Sequence, residues 1–166
     1  MKRVIISALL AVVMIGRVSA QEQSLRDVFK QMPDSLMPYL SQNNRLDFID
    51  FIESDMKAEV ENQLGGTSEM VSLAEDSLSI RMNDSMTTDL LLLTLDAPVD
   101  TISQVVVLIE TFRVDSVYGE SSVRFFTTEW KPMQESPILN EAQKKRVALH
   151  TLQNIVKRDD ELLNKC

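Results

Sequence analysis

The spacing of apolar residues changes at Gly65-Gly66, and this change sets the order of the secondary structure. Before the two glycines, apolar residues recur every three or four positions, which is the period of an amphipathic helix. After them, Leu78, Ile80 and Met82 alternate with polar residues, as in a half-buried strand. The sequence therefore predicts an α+β domain in which helices precede a sheet.

Two helices are expected before the glycines. The first begins at Ser24, a capping residue, and ends before Pro33; its apolar face consists of Leu25, Val28, Phe29 and Met32. The second is expected to run from a cap at Asn43 or Asn44 to Leu64, where the two glycines would stop it.

Short turns join the segments that follow, which favours an antiparallel meander of four to five strands. Such a sheet can carry helices on one face and have water on the other. The predicted strands are residues 70–74, 77–82, 86–95, 101–113 and 123–130.

A C-terminal helix is expected over residues 140–163. Its predicted apolar stripe consists of Leu149, Leu152, Val156 and Leu163. The chain thus divides into a segment 1–20, an α+β domain over residues 21–136 and a helical tail over residues 137–166 that is expected to pack on the domain.

Residues 1–20 have the three parts of a secretory signal peptide: a basic start, about a dozen apolar residues and a small-residue cleavage site between Ala20 and Gln21. The apolar part is shorter than the roughly 20 residues that span a bilayer. Cleavage would remove three of 17 basic residues and none of the 25 acidic ones, so the net charge would change from −8 to −11. We therefore expect an exported protein, in the periplasm or outside the cell, that binds no nucleic acid.

Several blocks of residues resemble domain-of-unknown-function family 3256, whose members are exported proteins of Gram-negative gut bacteria. The most specific blocks are Met32-Pro33-Asp34-Ser35-Leu36 and Asn43-Asn44-Arg45, and the resemblance covers about residues 24 to 130. It implies an exported α+β domain without an established activity, so it supplies no catalytic residues. It also implies further sheet after Trp130, where the pattern in this chain predicts a helix.

No pattern predicts a catalytic, cofactor or metal site. His150 and Cys166 are the only histidine and cysteine, too few for a structural zinc site, and a disulfide within the chain is excluded. Asp47, Asp50 and Glu53 follow one side of a predicted helix and are interpreted as a solvated face rather than a cation site.

The leading expectation is a non-enzymatic binding or interaction module for a protein or glycan partner. A carrier of an apolar small molecule and a carboxylate-based hydrolase remain alternatives.

Five triplets combine Asp, then Ser or Thr, then an aliphatic residue, more than composition alone predicts. The triplet resembles an O-glycan acceptor used on exported bacterial proteins, although Asp-Ser pairs also favour turns. The candidate modified residues are Ser35, Ser77, Ser85, Thr101 and Ser116. We expect them to form a hydrophilic rim around one end of the sheet.

Intact mass tests the modification directly. Protein from its native host is expected to start at Gln21 and to be heavier than the same mature chain made in a host without the glycosylation pathway. The excess should fall stepwise as Ser35, Ser85 and Ser116 are changed to Ala. Identical masses would remove the hypothesis.

Overall fold

The computed structural model describes residues 22–114, 119–133 and 139–163, with the backbone alone for residues 99 and 153–163. The expected signal peptide, its cleavage site at Ala20 and Gln21, Ser116 and Cys166 lie outside these residues.

The fold is α+β: two helices, an antiparallel sheet and a third helix. The sheet has six strands in sequential order, rather than the expected four to five. The elements are α1 (Leu25–Lys30), a 3₁₀ turn (Asp34–Leu36), α2 (Gln42–Glu53), β1 (Glu59–Glu61), β2 (Thr67–Leu73), β3 (Ser77–Asn83), β4 (Met86–Val99), β5 (Ile102–Arg113), β6 (Gly119–Thr127) and α3 (Glu141–Leu163).

Side-chain caps begin the first two helices. The Ser24 hydroxyl accepts a hydrogen bond from the Asp27 N–H at 3.2 Å, as predicted. The cap of α2 is Ser41 rather than Asn43 or Asn44. Asn44 instead completes a capping box, in which its side-chain oxygen accepts from the Ser41 N–H at 3.0 Å.

The prediction that α2 continues to Leu64 is wrong, because the helix ends at Glu53. Asp55 adopts a left-handed backbone with φ of 54°, a position that glycine usually fills. The Met56 N–H then donates to the Phe51 carbonyl at 2.8 Å, which closes a Schellman motif. Residues 54–64, which were expected to be helical, contain β1 instead. Gly65, with φ of 77°, lies in the turn between β1 and β2.

One hydrophobic core lies between α1, α2 and the first face of the sheet. The predicted face of α1 is confirmed, since Leu25, Val28, Phe29 and Met32 are at most 2% exposed. These side chains meet alternate residues of the central strands, among them Leu78, Ile80, Leu90, Leu92, Val106 and Leu108.

The second face of the central strands is covered as well and does not face water. Leu139 and Val147 cover this face, packing on Leu91, Leu93, Val105, Val107 and Ile109 of β4 and β5. The predicted stripe of α3 has the wrong phase where its side chains are described, because Leu149 and Leu152 are 44% and 56% exposed.

Arg45 is the most unusual member of the first core, since its side chain is 1% exposed. Its guanidinium donates to the Met32 carbonyl at 2.6 Å, the Leu40 carbonyl at 2.9 Å and the Asp34 carboxylate at 2.7 Å. These three acceptors all belong to the connection between α1 and α2. The guanidinium therefore holds that connection against the start of α2.

Replacing Arg45 by Met should lower the free energy of unfolding by about 2–4 kcal/mol, because two buried carbonyls lose their donor. The matched variant Asp34→Asn should cost less than about 1 kcal/mol, since the Asp34 side chain is 68% exposed. Urea unfolding followed by circular dichroism measures both changes. Equal stability losses in the two variants would contradict this assignment of roles.

Candidate functional site

Strand β6 forms one edge of the sheet, and part of its outer side is already paired. Residues 131–133 lie against this side through a bridge between Phe126 and Pro132. The Thr127 N–H donates to the Lys131 carbonyl at 3.0 Å, and the Met133 N–H donates to the Phe125 carbonyl at 2.9 Å. The chain thus adds a very short strand to its own edge.

These bonds fix the orientation of the remaining edge. The backbone groups of Phe125 and Thr127 point away from β5, and β6 pairs with β5 without a bulge. Because strand orientation repeats every two residues, the N–H and C=O groups of Ser121 and Val123 point outward too. Among the described residues, these donors and acceptors of β6 have no backbone partner.

A cavity of about 560 Å³ runs beside this edge, and we call it the edge slot. It is lined by Pro33, Ser35, Leu36, Val123, Arg124, Phe125, Phe126, Trp130, Pro132 and Met133. Its aromatic wall is rigid: the Trp130 and Phe126 ring centroids are 5.6 Å apart, and the indole N–H of Trp130 donates to the Val28 carbonyl at 2.8 Å.

The backbone of Trp130 carries strain, with φ of 63°. A bulky residue in this region is unusual and is stable only where its surroundings fix it. Here the indole bond to α1 and the turn bond from the Trp130 N–H to the Thr127 carbonyl, 2.9 Å, provide that support.

A second cavity, of about 540 Å³, lies between β6 and α3, and we call it the β6–α3 groove. It is lined mainly by apolar side chains: Val123, Phe125, Leu139, Lys144, Val147, Ala148, Thr151 and Leu152. Val123 is 38% exposed and Leu152 is 56% exposed. Val123 and Phe125 line the slot as well as the groove, so the two cavities meet at β6.

A third cavity, of about 620 Å³, is polar and lies between the first turns of α3 and the ends of the central strands. Asp76 and Arg146 form a bidentate ion pair across it, with both N–O distances 2.6 Å. The hydrogen bonds from Arg146 lower the pKa of Asp76, partly opposed by desolvation. A carboxyl group held ionised in this way is a poor general acid.

Amide side chains close the rest of this polar cleft. Gln104 donates to and accepts from the backbone of Gln23, at 3.2 and 2.8 Å. Gln143 donates to the Thr94 carbonyl at 2.7 Å, and Asn140 donates to Asp96 at 2.9 Å. These groups therefore fasten α3 and the N-terminal segment to the sheet.

The candidate modified residues occupy different environments. Ser35, in the 3₁₀ turn, and Ser85, in the two-residue turn between β3 and β4, are exposed. Thr101 is exposed in the turn between β4 and β5, where Asp100 and Thr101 have φ of 48° and 74°. Ser77 is half-buried at the start of β3. Because Ser85 and Thr101 lie at opposite ends of β4, these residues form no rim at a single end.

Two of the triplet acids have structural roles of their own. Asp34 binds the Arg45 guanidinium, and Asp76 binds Arg146. Ion pairing and turn formation therefore account for part of the recurrence of the triplet.

The acidic stripe of α2 is solvated as expected, since Asp47, Asp50 and Glu53 are exposed. Glu53 pairs with Arg26 at 3.2 Å. In the described part of the chain, no group of three or more acidic, His or Cys residues is placed to hold a metal ion. No described helix is both long enough and apolar enough to cross a membrane.

One comparison with known proteins shows the family, and a second shows the fold. The model described as "Protein of unknown function (DUF3256)" matches residues 17–161, which include most of α3. A solved domain of an uncharacterised protein from Porphyromonas gingivalis W83 is similar, with a TM-score of 0.54, 19% identity, and coverage of 76% of this chain and 68% of that one. At this identity the likeness shows the fold alone. No curated protein matches the chain.

The Asp76–Arg146 pair should make the attachment of α3 dependent on pH. Because the pKa of Asp76 is lowered on folding, its stabilisation is complete above the ordinary aspartate value of about 3.9 and is lost as the pH falls through the lowered value. Asp76→Asn should therefore lower stability at pH 7 by about 0.5–1 kcal/mol, as for a half-exposed pair.

That difference should shrink in acid. Denaturant unfolding of the two proteins at pH 7 and below about pH 3 gives the comparison. A stability difference that is the same at both pH values would show that the ion pair is not its source.

Proposed function

Since the chain belongs to the family of unknown function DUF3256, its activity has to be inferred from its own surface, and we propose that it is an exported, non-enzymatic interaction module that binds a protein partner beside β6. The observation that carries this proposal is the β6–α3 groove, in which the apolar side chains of Val123 and Leu152 are exposed beside the edge strand β6. Concave apolar surfaces of this kind typically mark interaction sites.

Export to the periplasm or the cell exterior rests on the three-part pattern of residues 1–20. The net charge, −8 for the whole chain and −11 after cleavage, supports a protein partner over nucleic acid, because phosphate backbones are repelled by an acidic surface. Glycans at the exposed residues Ser35, Ser85 and Thr101 would be consistent with export. Ser35 also lines the edge slot, so a glycan there would restrict the slot.

The packing of the core gives less support to the alternative function, a carrier of an apolar small molecule. The space between the sheet and the first two helices is filled by side chains such as Phe29, Phe48 and Ile80, each at most 1% exposed. An apolar ligand held there would have to displace packed side chains.

A carboxylate-based hydrolase would place two acids across a cleft, with at least one available as a proton donor. The polar cleft contains Glu22, Glu75 and Asp76, but Asp76 is committed to Arg146. The Asp76–Arg146 pair in this cleft therefore supports a structural role, the attachment of α3 to the sheet, rather than a catalytic one.

Photo-crosslinking in the native host tests the proposed surface. A photoreactive residue at position 123 should give a defined crosslinked product, and Leu152→Asp should reduce its yield at least about tenfold, since a charge would be buried in the contact. Leu64→Asp is the matched control, because Leu64 is 59% exposed but lies in the turn between β1 and β2.

Equal loss in the two variants would indicate a general effect on solubility or folding. An undiminished product in Leu152→Asp would contradict the proposal that the groove binds the partner.

A further inference from the structure

We propose that two copies of this chain associate through the outer side of α3, with the two helices antiparallel. The inference starts from an apolar stripe on this helix that is exposed. Leu149 and Leu152 lie on the stripe and are 44% and 56% exposed. By helical spacing, Val156 and Leu163 occupy positions that continue the stripe to the end of α3.

The stripe lies on the side of α3 away from the sheet. The helix rests on the sheet through Val147, which packs on the second face of β4 and β5. At 3.6 residues per turn, Val147 lies about 160° around the helix axis from Leu149 and about 140° from Leu152. The sheet of the same chain therefore cannot cover the stripe.

Charge favours a second copy as the occupant. α3 contains five basic and four acidic residues, a net charge of +1, although the whole chain carries −8. Two copies of such an acidic chain therefore repel each other least where their α3 helices meet. The basic residues are Lys144, Lys145, Arg146, Lys157 and Arg158, and the acidic ones are Glu141, Asp159, Asp160 and Glu161.

The order of these charges sets the orientation of the two helices. Lys145 is exposed on the stripe seven residues before Leu152, and Asp159 stands seven residues after it. Because each residue advances the helix by about 1.5 Å, an antiparallel pair centred on Leu152 brings Lys145 of each copy level with Asp159 of the other. A parallel pair would align like charges. Each copy thus supplies both halves of one contact, as a twofold dimer requires.

This surface differs from the β6–α3 groove. Of the two exposed leucines, only Leu152 lines the groove. The inference therefore goes beyond the proposed function, and it does not require the groove to bind a partner.

Sedimentation equilibrium of residues 21–166, with Cys166→Ser to exclude a disulfide between copies, measures the association. The chain should form a dimer whose fraction rises with concentration. Leu149→Asp should weaken the association at least about tenfold, because a charge would be buried between the helices. Leu64→Asp is the matched control and should associate as the native chain does, since Leu64 is 59% exposed but lies in the turn between β1 and β2.

Charge exchange tests the antiparallel orientation. Lys145→Glu and Asp159→Lys should each weaken self-association about tenfold at low salt, because each variant turns both contacts of the dimer into like-charge pairs. An equal mixture of the two variants should associate about as tightly as the native chain, since both contacts then join opposite charges.

Three results would overturn the proposal. The first is a chain that stays monomeric up to about 1 mM, the range of very weak complexes. The second is equal association of Leu149→Asp and the native chain. The third is a mixture of the charge variants that associates as weakly as each variant alone, because the helices would then not be antiparallel.

The outcome is separable from photo-crosslinking at position 123. Leu149→Asp should lose self-association and keep the crosslinked product. Self-association without the product would contradict the proposed function alone, and the product without self-association would overturn this inference alone.

Discussion

Burial of a guanidinium is costly unless hydrogen-bond acceptors surround it, and three acceptors from the connection between α1 and α2 bind the two terminal nitrogens of Arg45. Its Nε–H is buried without a partner among the described residues. Without the guanidinium, the carbonyls of Met32 and Leu40 would be left without their donor in the first core. This side chain therefore helps to hold residues 32–40 against α2, together with the burial of Met32, Met37 and Leu40 in the core. The third acceptor is the carboxylate of Asp34, which is largely exposed to solvent, so its charge adds little stability.

This constraint extends to the proposed binding surface. Pro33, Ser35 and Leu36 form one wall of the edge slot, and the connection that Arg45 holds contains all three. Trp130 forms the facing wall and is tied to α1 through the Val28 carbonyl. The slot beside β6 is thus built between a braced loop and a strained turn, and the bonds to Arg45 and Trp130 hold its two walls in place. Pre-organisation of this kind reduces the entropic cost of binding.

Local patterns predicted most of the fold, and contacts between distant residues account for the differences. The cap at Ser24 and the face of α1 follow from spacing alone, as does the order of helices and strands. The end of α2 was missed because Asp55 takes the left-handed position that the prediction assigned to Gly65. Arg45 stands three residues before Phe48 on the buried side of α2, a signal that sequence reasoning passed over because arginine is normally exposed. The groove was not predictable, since it depends on where α3 packs on β4 and β5 beside β6.

Acrylamide quenching of the single tryptophan tests most directly whether Arg45 braces the binding surface. Trp130 is 6% exposed and lies in the slot, so its fluorescence reports on the walls around it. In folded Arg45→Lys, which loses the forked geometry of the guanidinium, we expect a larger quenching constant and red-shifted emission, with the native circular dichroism retained. Asp34→Asn should leave both signals near their native values. Quenching and emission in Arg45→Lys identical to those of the native chain would contradict the claim that this residue supports the slot.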